Sequence, residues 1–408
     1  MVAFRTNFWL KFSLVNLLLV ATLGVLMRYK IGFDFPFFSQ KHIQHAHSHF
    51  AFSGWVTHSL YVLMIAFLTK KIPSLSTQNY TRIILVNLVC SYGMLISFFI
   101  FGYNASSIFF STLTIVIACF FAYSFFQDLQ KMDSLDPSRP WFKAALWFNI
   151  VSCLGTFYLA YMMASRNFNE HWYLASIYYY LHFQYNGFFI FACFGLLISQ
   201  CAHFLPMFKY DRTVFTLSFV SVIPAYFLSV LWADLPLWLN IAVAIAAFMQ
   251  LYAWIKFIWA IKRAANLGST LTTFQRNMFI FVSLAFSIKL LLQLGSTIPA
   301  LSDLAFGFRP IVIAYLHLVL LAVISVFILT YFYTFGFLHV NKLAQQALTL
   351  FVVGVFLNEL VLAVQGIAAF GYVPVKFANE ILFAAALILL IGAGLMVIAQ
   401  RKKIVESE

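Results

Sequence analysis

Charge is nearly absent from this sequence over stretches long enough to cross a lipid bilayer, and those stretches follow one another from end to end. Charged residues make up 9% of the 408 residues and hydrophobic ones 63%, where a soluble domain carries about 25% charge. A water-facing surface cannot be assembled from that mixture. A helix crossing about 30 Å of hydrocarbon needs about 20 apolar residues, and inside hydrocarbon every backbone N–H and C=O must be paired within the protein. The sequence therefore predicts an all-α polytopic membrane bundle, a single transmembrane domain over 1–408 with about twelve spanning helices.

The spans are read at 8–28, 43–68, 80–101, 105–127, 141–163, 171–200, 212–233, 236–261, 275–298, 310–334, 346–370 and 376–399. Polar and turn residues fill the breaks, as in Asp133-Ser134-Leu135-Asp136-Pro137-Ser138-Arg139-Pro140 and from Arg263 to Thr273. Only Gly102-Tyr103-Asn104 are left to turn the chain between the third and fourth spans. Arg5 and Lys11 precede the apolar stretch Phe12 to Met27, which lacks a small-x-small cleavage site and reads as an uncleaved first span. Alternating the spans puts 17 Lys and Arg on the side of both termini and 6 on the other, with Lys256 and Lys289 inside helices. This bias predicts both termini in the cytoplasm, in a membrane such as the bacterial inner membrane. Lys256, near a cytoplasmic helix end, can snorkel to the surface. The net charge of +13 is then a matter of loop anchors. No basic run interleaved with aromatics points to nucleic acid. Cys90, Cys119, Cys153, Cys193 and Cys201 form no CxxC pair and read as small apolar packing residues.

Eight of the ten histidines fall on three of the twelve spans. His42, His45, His47, His49 and His58 lie on the second, His171 and His182 on the sixth, and His317 on the tenth. These spans share a direction, each starting at the outer face. At about 1.5 Å per residue, His45 to His49 lie near the outer surface and His317 about 10 Å inside it, with His182 about 16 Å below His171. From His49 to His182 is 133 residues, and from His182 to His317 is 135. The spacing predicts three four-helix units in series, without a strong residue-level repeat.

A neutral imidazole is a strong ligand for haem iron and copper, and a polar side chain in lipid is costly enough to mark a site. A lone histidine can also simply bond to a neighbouring helix, and the His42 to His49 group can also serve as an interfacial polar cap. On the second span, His42, His45 and His49 share one helical face while His47, Gly54 and His58 share another. At most one or two of them can ligate one flat macrocycle. Gly54 would let a ring approach the backbone closely.

Span number, direction and histidine placement resemble subunit I of the haem-copper oxidases and nitric oxide reductases. The stretch His47-Ser48-His49-Phe50-Ala51-Phe52-Ser53-Gly54-Trp55 is similar to the HxHxxxxG stretch of the NnrS family, membrane haem and copper proteins associated with nitric oxide stress. The resemblance implies three four-helix arcs with pseudo-threefold symmetry. It implies haem b ligated by His47 or His49, or by His45 in their place, and by His317. It also places a copper-ligating position at His182, in Tyr180-Leu181-His182-Phe183-Gln184-Tyr185-Asn186-Gly187. The chain departs from the oxidases in three places. Its seventh span has no histidine where they carry an adjacent pair. Its tenth span, in Tyr315-Leu316-His317-Leu318-Val319, has one histidine where they carry HxH. Asn186 stands where they carry a tyrosine four residues after the copper ligand, with Tyr185 one position earlier. The implied protein is a haem-binding redox or gas-sensing protein with an incomplete copper set, acting on oxygen or nitric oxide. Its implied partners are cytochrome c or quinol as electron donor, and accessory subunits.

Other polar groups also lie within spans. Lys289 and Gln293 are one turn apart on the ninth, Glu359 is flanked by Asn358 and Gln365 on the eleventh, and Glu380 is near the outer end of the twelfth. Lys289 and Glu359 are candidates for a proton path, with interhelical hydrogen bonds or a Lys–Glu pair as the structural alternative. The run Tyr178-Tyr179-Tyr180 before His182 suits packing against a haem or quinone as well as ordinary helix packing. Two further classes stay open. A secondary transporter built from repeats would use Pro224 and Gly295 as helix breaks, but leaves the histidine placement unexplained. A scaffold or assembly member of the superfamily would bind no metal.

Overall fold

The computed structural model describes residues 4–33, 35–204, 210–264, 271–302 and 309–401. Lys209, Lys402 and Lys403, counted above among the basic flanks, and residues 265–270 of the break after the eighth span lie outside the described residues.

Among the described residues, twelve helices are long and apolar enough to cross a membrane. They are α1 (Thr6–Gly32), α2 (Gln40–Lys71), α3 (Gln78–Phe101), α4 (Ala105–Leu129), α5 (Arg139–Ser165), α6 (Glu170–His203), α7 (Arg212–Val230), α8 (Leu237–Ala264), α9 (Thr273–Gly295), α10 (Pro310–Thr334), α11 (Lys342–Ala369) and α12 (Ala378–Ala399). No strand occurs among the described residues. Apolar side chains such as Leu85, Val89, Ile96 and Ile100 form exposed rows on α3, which suits lipid and would aggregate in water. The chain is an all-α integral multi-pass membrane protein.

Helix ends follow from local chemistry. The first N–H groups of a helix lack partners inside it, and short polar side chains supply them. Asn169 accepts from the Trp172 N–H at the start of α6, and Asn341 from the Ala344 N–H at the start of α11. Thr272 and Gln275 form a reciprocal capping box at α9. The three-residue turn between α3 and α4 works because Gly102 takes φ +66° and ψ −142°, a region essentially closed to other residues. Asn104 then accepts from the Ser107 N–H while Ser107 Oγ accepts from the Asn104 N–H.

Asp211 caps α7 through the Thr213 N–H at 2.8 Å and pairs with Lys256 of α8 at 2.6 Å. The Lys256 hydrogen bond, and then the one from Thr213, push the Asp211 carboxyl down to about 2. A carboxylate depressed in the fold stabilises above its unfolded value of about 3.9 and loses that contribution as pH falls through its folded value. Asp211→Asn is therefore expected to melt slightly below wild type at pH 7. That gap should close between pH about 4 and about 2, as read from thermal unfolding in detergent; the effect is small because the pair is partly exposed.

The chain divides into two compact units, Met1–Phe121 with Ser325–Glu408, and Ala122–Ile324. In the first, α12 packs against both α1 and α11. In the second, α5 lies along α6, and α8 along α7 and α9. Gly155 of α5 makes the α5–α6 contact possible. A Cβ there would lie 2.6 Å from the Ser176 carbonyl oxygen and 3.0 Å from the Tyr180 nitrogen.

Three spans differ from the rest. In α2, α6 and α10, 83%, 78% and 50% of the most apolar window is buried, against 28 to 44% in the other nine. The same three switch from α to π geometry partway along, at Ala51–Thr57, Phe183–Phe189 and Leu318–Ser325.

Candidate functional site

Each π segment starts at a histidine or within two residues of one. His182 and His317 directly precede theirs, and His49 comes two residues before Ala51. Aligned on these histidines, His49-Phe50-Ala51-Phe52-Ser53-Gly54 lies beside His182-Phe183-Gln184-Tyr185-Asn186-Gly187 and His317-Leu318-Val319-Leu320-Leu321-Ala322. Each histidine is followed five residues later by glycine or alanine. Asn16 on α1 and Asn149 on α5 are also 133 residues apart, the same offset as His49 to His182. Beyond the histidine and this small residue the three stretches differ, so no strong residue-level repeat joins them.

A π turn shifts backbone groups out of α register, and such turns are frequent at functional sites. In the first unit, neighbouring side chains take up the displaced groups. Asn16 Nδ2 donates to the Gly54 carbonyl, and Asn16 Oδ1 accepts from Tyr92 Oη at 2.7 Å. Asn87 Nδ2 reaches the Ser53 carbonyl at 3.4 Å, and Trp55 Nε1 donates to Ser325 Oγ at 2.9 Å. In the second unit, Gln184 Nε2 donates to Asn149 Oδ1 and Ser152 Oγ, both at 2.8 Å. These asparagines were not among the sequence candidates. Their signal was an amide in the middle of an apolar span, where a polar group is costly.

The helix 2 histidines separate onto two faces, as the periodicity predicts. His49 stacks on Phe98 at 4.3 Å, and its Nε2 lies 3.3 Å from Tyr103 Oη. His45 packs edge-on to Tyr103 at 4.6 Å. His47 turns instead to α1, its Nδ1 3.0 Å from the Val20 carbonyl. His42 lies against Gly102. His58 is fully buried, with Nε2 3.3 Å from the Trp9 carbonyl and Nδ1 without a hydrogen-bond partner.

In the second unit, His317 Nδ1 lies 2.9 Å from the Ile313 carbonyl of its own helix. His182 is buried, with Nε2 2.8 Å from the Val222 carbonyl and Nδ1 3.1 Å from Asn186 Nδ2. Val222 is available for a local reason. After Pro224, α7 tightens into a 3₁₀ turn at Tyr226–Ser229, and the Tyr226 N–H bonds to Ile223 rather than to Val222. Rings continue from His182 to Tyr185 at 6.4 Å, and from Tyr185 to Tyr315 of α10 at 6.4 Å.

A carbonyl can only accept, so the ring nitrogen facing it carries the proton. His47 and His317 are thus protonated on Nδ1, which leaves Nε2 as the basic nitrogen. A ligating imidazole is normally set this way, with its other nitrogen donating to a carbonyl. That fits haem iron at His47 and at His317. His182 is set the other way: its Nε2 proton goes to Val222, and its Nδ1 accepts from Asn186. Among the described residues, no group of three or more His, Cys, Asp or Glu side chains could hold a metal ion. The donor set around His182 does not fit copper.

Lys289 and Glu359 fall in different units. The charged neighbour of Glu359 is Arg28 of α1, and Asn358 Nδ2 donates to it at 3.1 Å. Lys289 is buried over the Phe286 ring at 5.4 Å. Of the breaks expected for a transporter, Pro224 does interrupt α7, while Gly295 is simply the last residue of α9.

This architecture defines a class, an integral membrane bundle whose three most enclosed spans each carry a histidine and a π segment. Compared with protein-family models and with curated proteins, the sequence matches none.

Proposed function

We propose that the chain is a membrane haem protein of redox or gas-sensing type, similar to subunit I of the haem-copper oxidases and lacking their copper centre. The residues that would hold haem b are His47 and His317, with His49 and His45 as the other helix 2 candidates. The observation that carries this reading is the shared tautomer of His47 and His317, each donating Nδ1–H to a backbone carbonyl. The π segments beside the histidines of α2, α6 and α10 support it. Bound haem would supply reversible one-electron exchange and, where only one of these imidazoles reaches the iron, a position for a diatomic gas such as oxygen or nitric oxide. The chain's own residues orient the imidazoles through Val20 and Ile313 and exclude water with the buried aromatics around the π segments. Electrons would come from cytochrome c or quinol, accessory subunits would complete the assembly, and both termini would face the cytoplasm of a bacterial inner membrane.

The test is a reduced-minus-oxidised absorption spectrum of protein purified from haem-replete cells. A b-type difference band is expected. A colourless preparation would overturn the proposal in favour of a transporter or scaffold.

A further inference from the structure

Asn186 and Lys289 meet at one cavity inside the second unit. Both are buried, at 3% and 2% exposure, and Lys289 pairs with no carboxylate among the described residues. The cavity measures about 30 Å³ and is lined by Asn186, Ser218, Gln250 and Lys289 against aromatic rings including Phe191 and Phe286. That space, open to the centres of water-sized spheres, admits water, which needs two to four polar partners to be held inside a protein.

The hydrogen-bond directions decide what the cavity accepts. His182 Nε2–H is committed to the Val222 carbonyl, so Nδ1 must accept, and Asn186 must present its Nδ2 to it. Asn186 Oδ1 therefore faces elsewhere, and it is buried without any donor. A small cation would be repelled by the Lys289 ammonium. A small anion would suit Lys289 but not the Asn186 oxygen. Water satisfies both, accepting from one and donating to the other.

We propose that this cavity is a binding site for water, in which a bound molecule accepts a hydrogen bond from Lys289 Nζ and donates one to Asn186 Oδ1. Lys289 is then a positioning residue. It holds the water where that water satisfies the Asn186 oxygen, which the His182 contact leaves turned away from the ring. None of these residues is an assigned haem ligand, so the site stands or falls separately from the haem reading.

Hydroxyl-radical footprinting of the full-length protein in lipid nanodiscs tests it, because bound water activates the side chains beside it. Phe191 and Phe286 are expected to be oxidised well above Phe188, a buried α6 ring outside the cavity. That excess should disappear in Lys289→Met and in Asn186→Leu, and persist in Lys289→Gln, which keeps an N–H donor. If Lys289→Met fails to fold, Asn186→Leu and Lys289→Gln decide between them. Wild-type labelling no greater than that of Phe188, or labelling unchanged in Asn186→Leu, would overturn the site.

Discussion

His317→Ala is expected to abolish the low-spin haem absorbance of the purified protein while its size-exclusion profile stays that of wild type. His317 is the one histidine on α10, so no neighbour can take its place after truncation. Its Nδ1 lies 2.9 Å from the Ile313 carbonyl of its own helix. His47→Ala is expected to do the same. His47 alone among His45, His47 and His49 turns to the Val20 carbonyl, while the other two pack against Phe98 and Tyr103. His45→Ala should keep the spectrum, and so should His203→Ala at the exposed end of α6. A full spectrum in His317→Ala would remove α10 from the ligand set.

Gly155→Leu is expected to eliminate the folded protein, read as loss of the monodisperse peak in fluorescence-detected size-exclusion chromatography. Even a single Cβ at this position meets two backbone atoms of α6, at 2.6 and 3.0 Å, and backbone cannot swing aside as a side-chain tip can. Overpacking a rigid site costs about 1–3 kcal/mol for added methylenes, and occasionally more. Leucine adds a branched chain where no space exists, so the helices must separate. They would take with them the Gln184 bonds to Asn149 and Ser152. The neighbouring Leu154 is 56% exposed, and Leu154→Ala serves as the control that leaves the peak unchanged. A normal peak for Gly155→Leu would show that α5 and α6 do not meet at this glycine.

Much of the bundle could be read from sequence, because length and hydropathy alone decide whether a segment can span lipid. All twelve spans occur where the apolar stretches place them. The differences lie at polar ends. Helix 2 runs from Gln40 to Lys71 rather than over 43–68, since helical geometry continues into interfacial residues that hydropathy discounts. The seventh span stops at Val230, after the 3₁₀ turn that follows Pro224. The two faces of His42, His45, His47 and His49 were also legible, because these four precede the π segment and 3.6-residue periodicity still holds there.

The π segments were not legible. Leu318–Ser325 reads as Leu-Val-Leu-Leu-Ala-Val-Ile-Ser, a composition that suits an α-helix equally well. The expected Lys–Glu alternative failed to anticipate Arg28 as the charged neighbour of Glu359, because pairing across helices depends on which faces meet.

A wide turn inside a span has a consequence for how such a protein tolerates length changes. Each residue of an α-helix advances about 100° around its axis, and a π turn absorbs one extra residue. Deleting one residue within Phe183–Phe189 could thus be accommodated by reverting to ordinary winding, with both flanks keeping their orientation. The same deletion in an uninterrupted span such as α12 would swing everything beyond it away from its neighbours. The three histidine-bearing spans carry slack that the other nine lack.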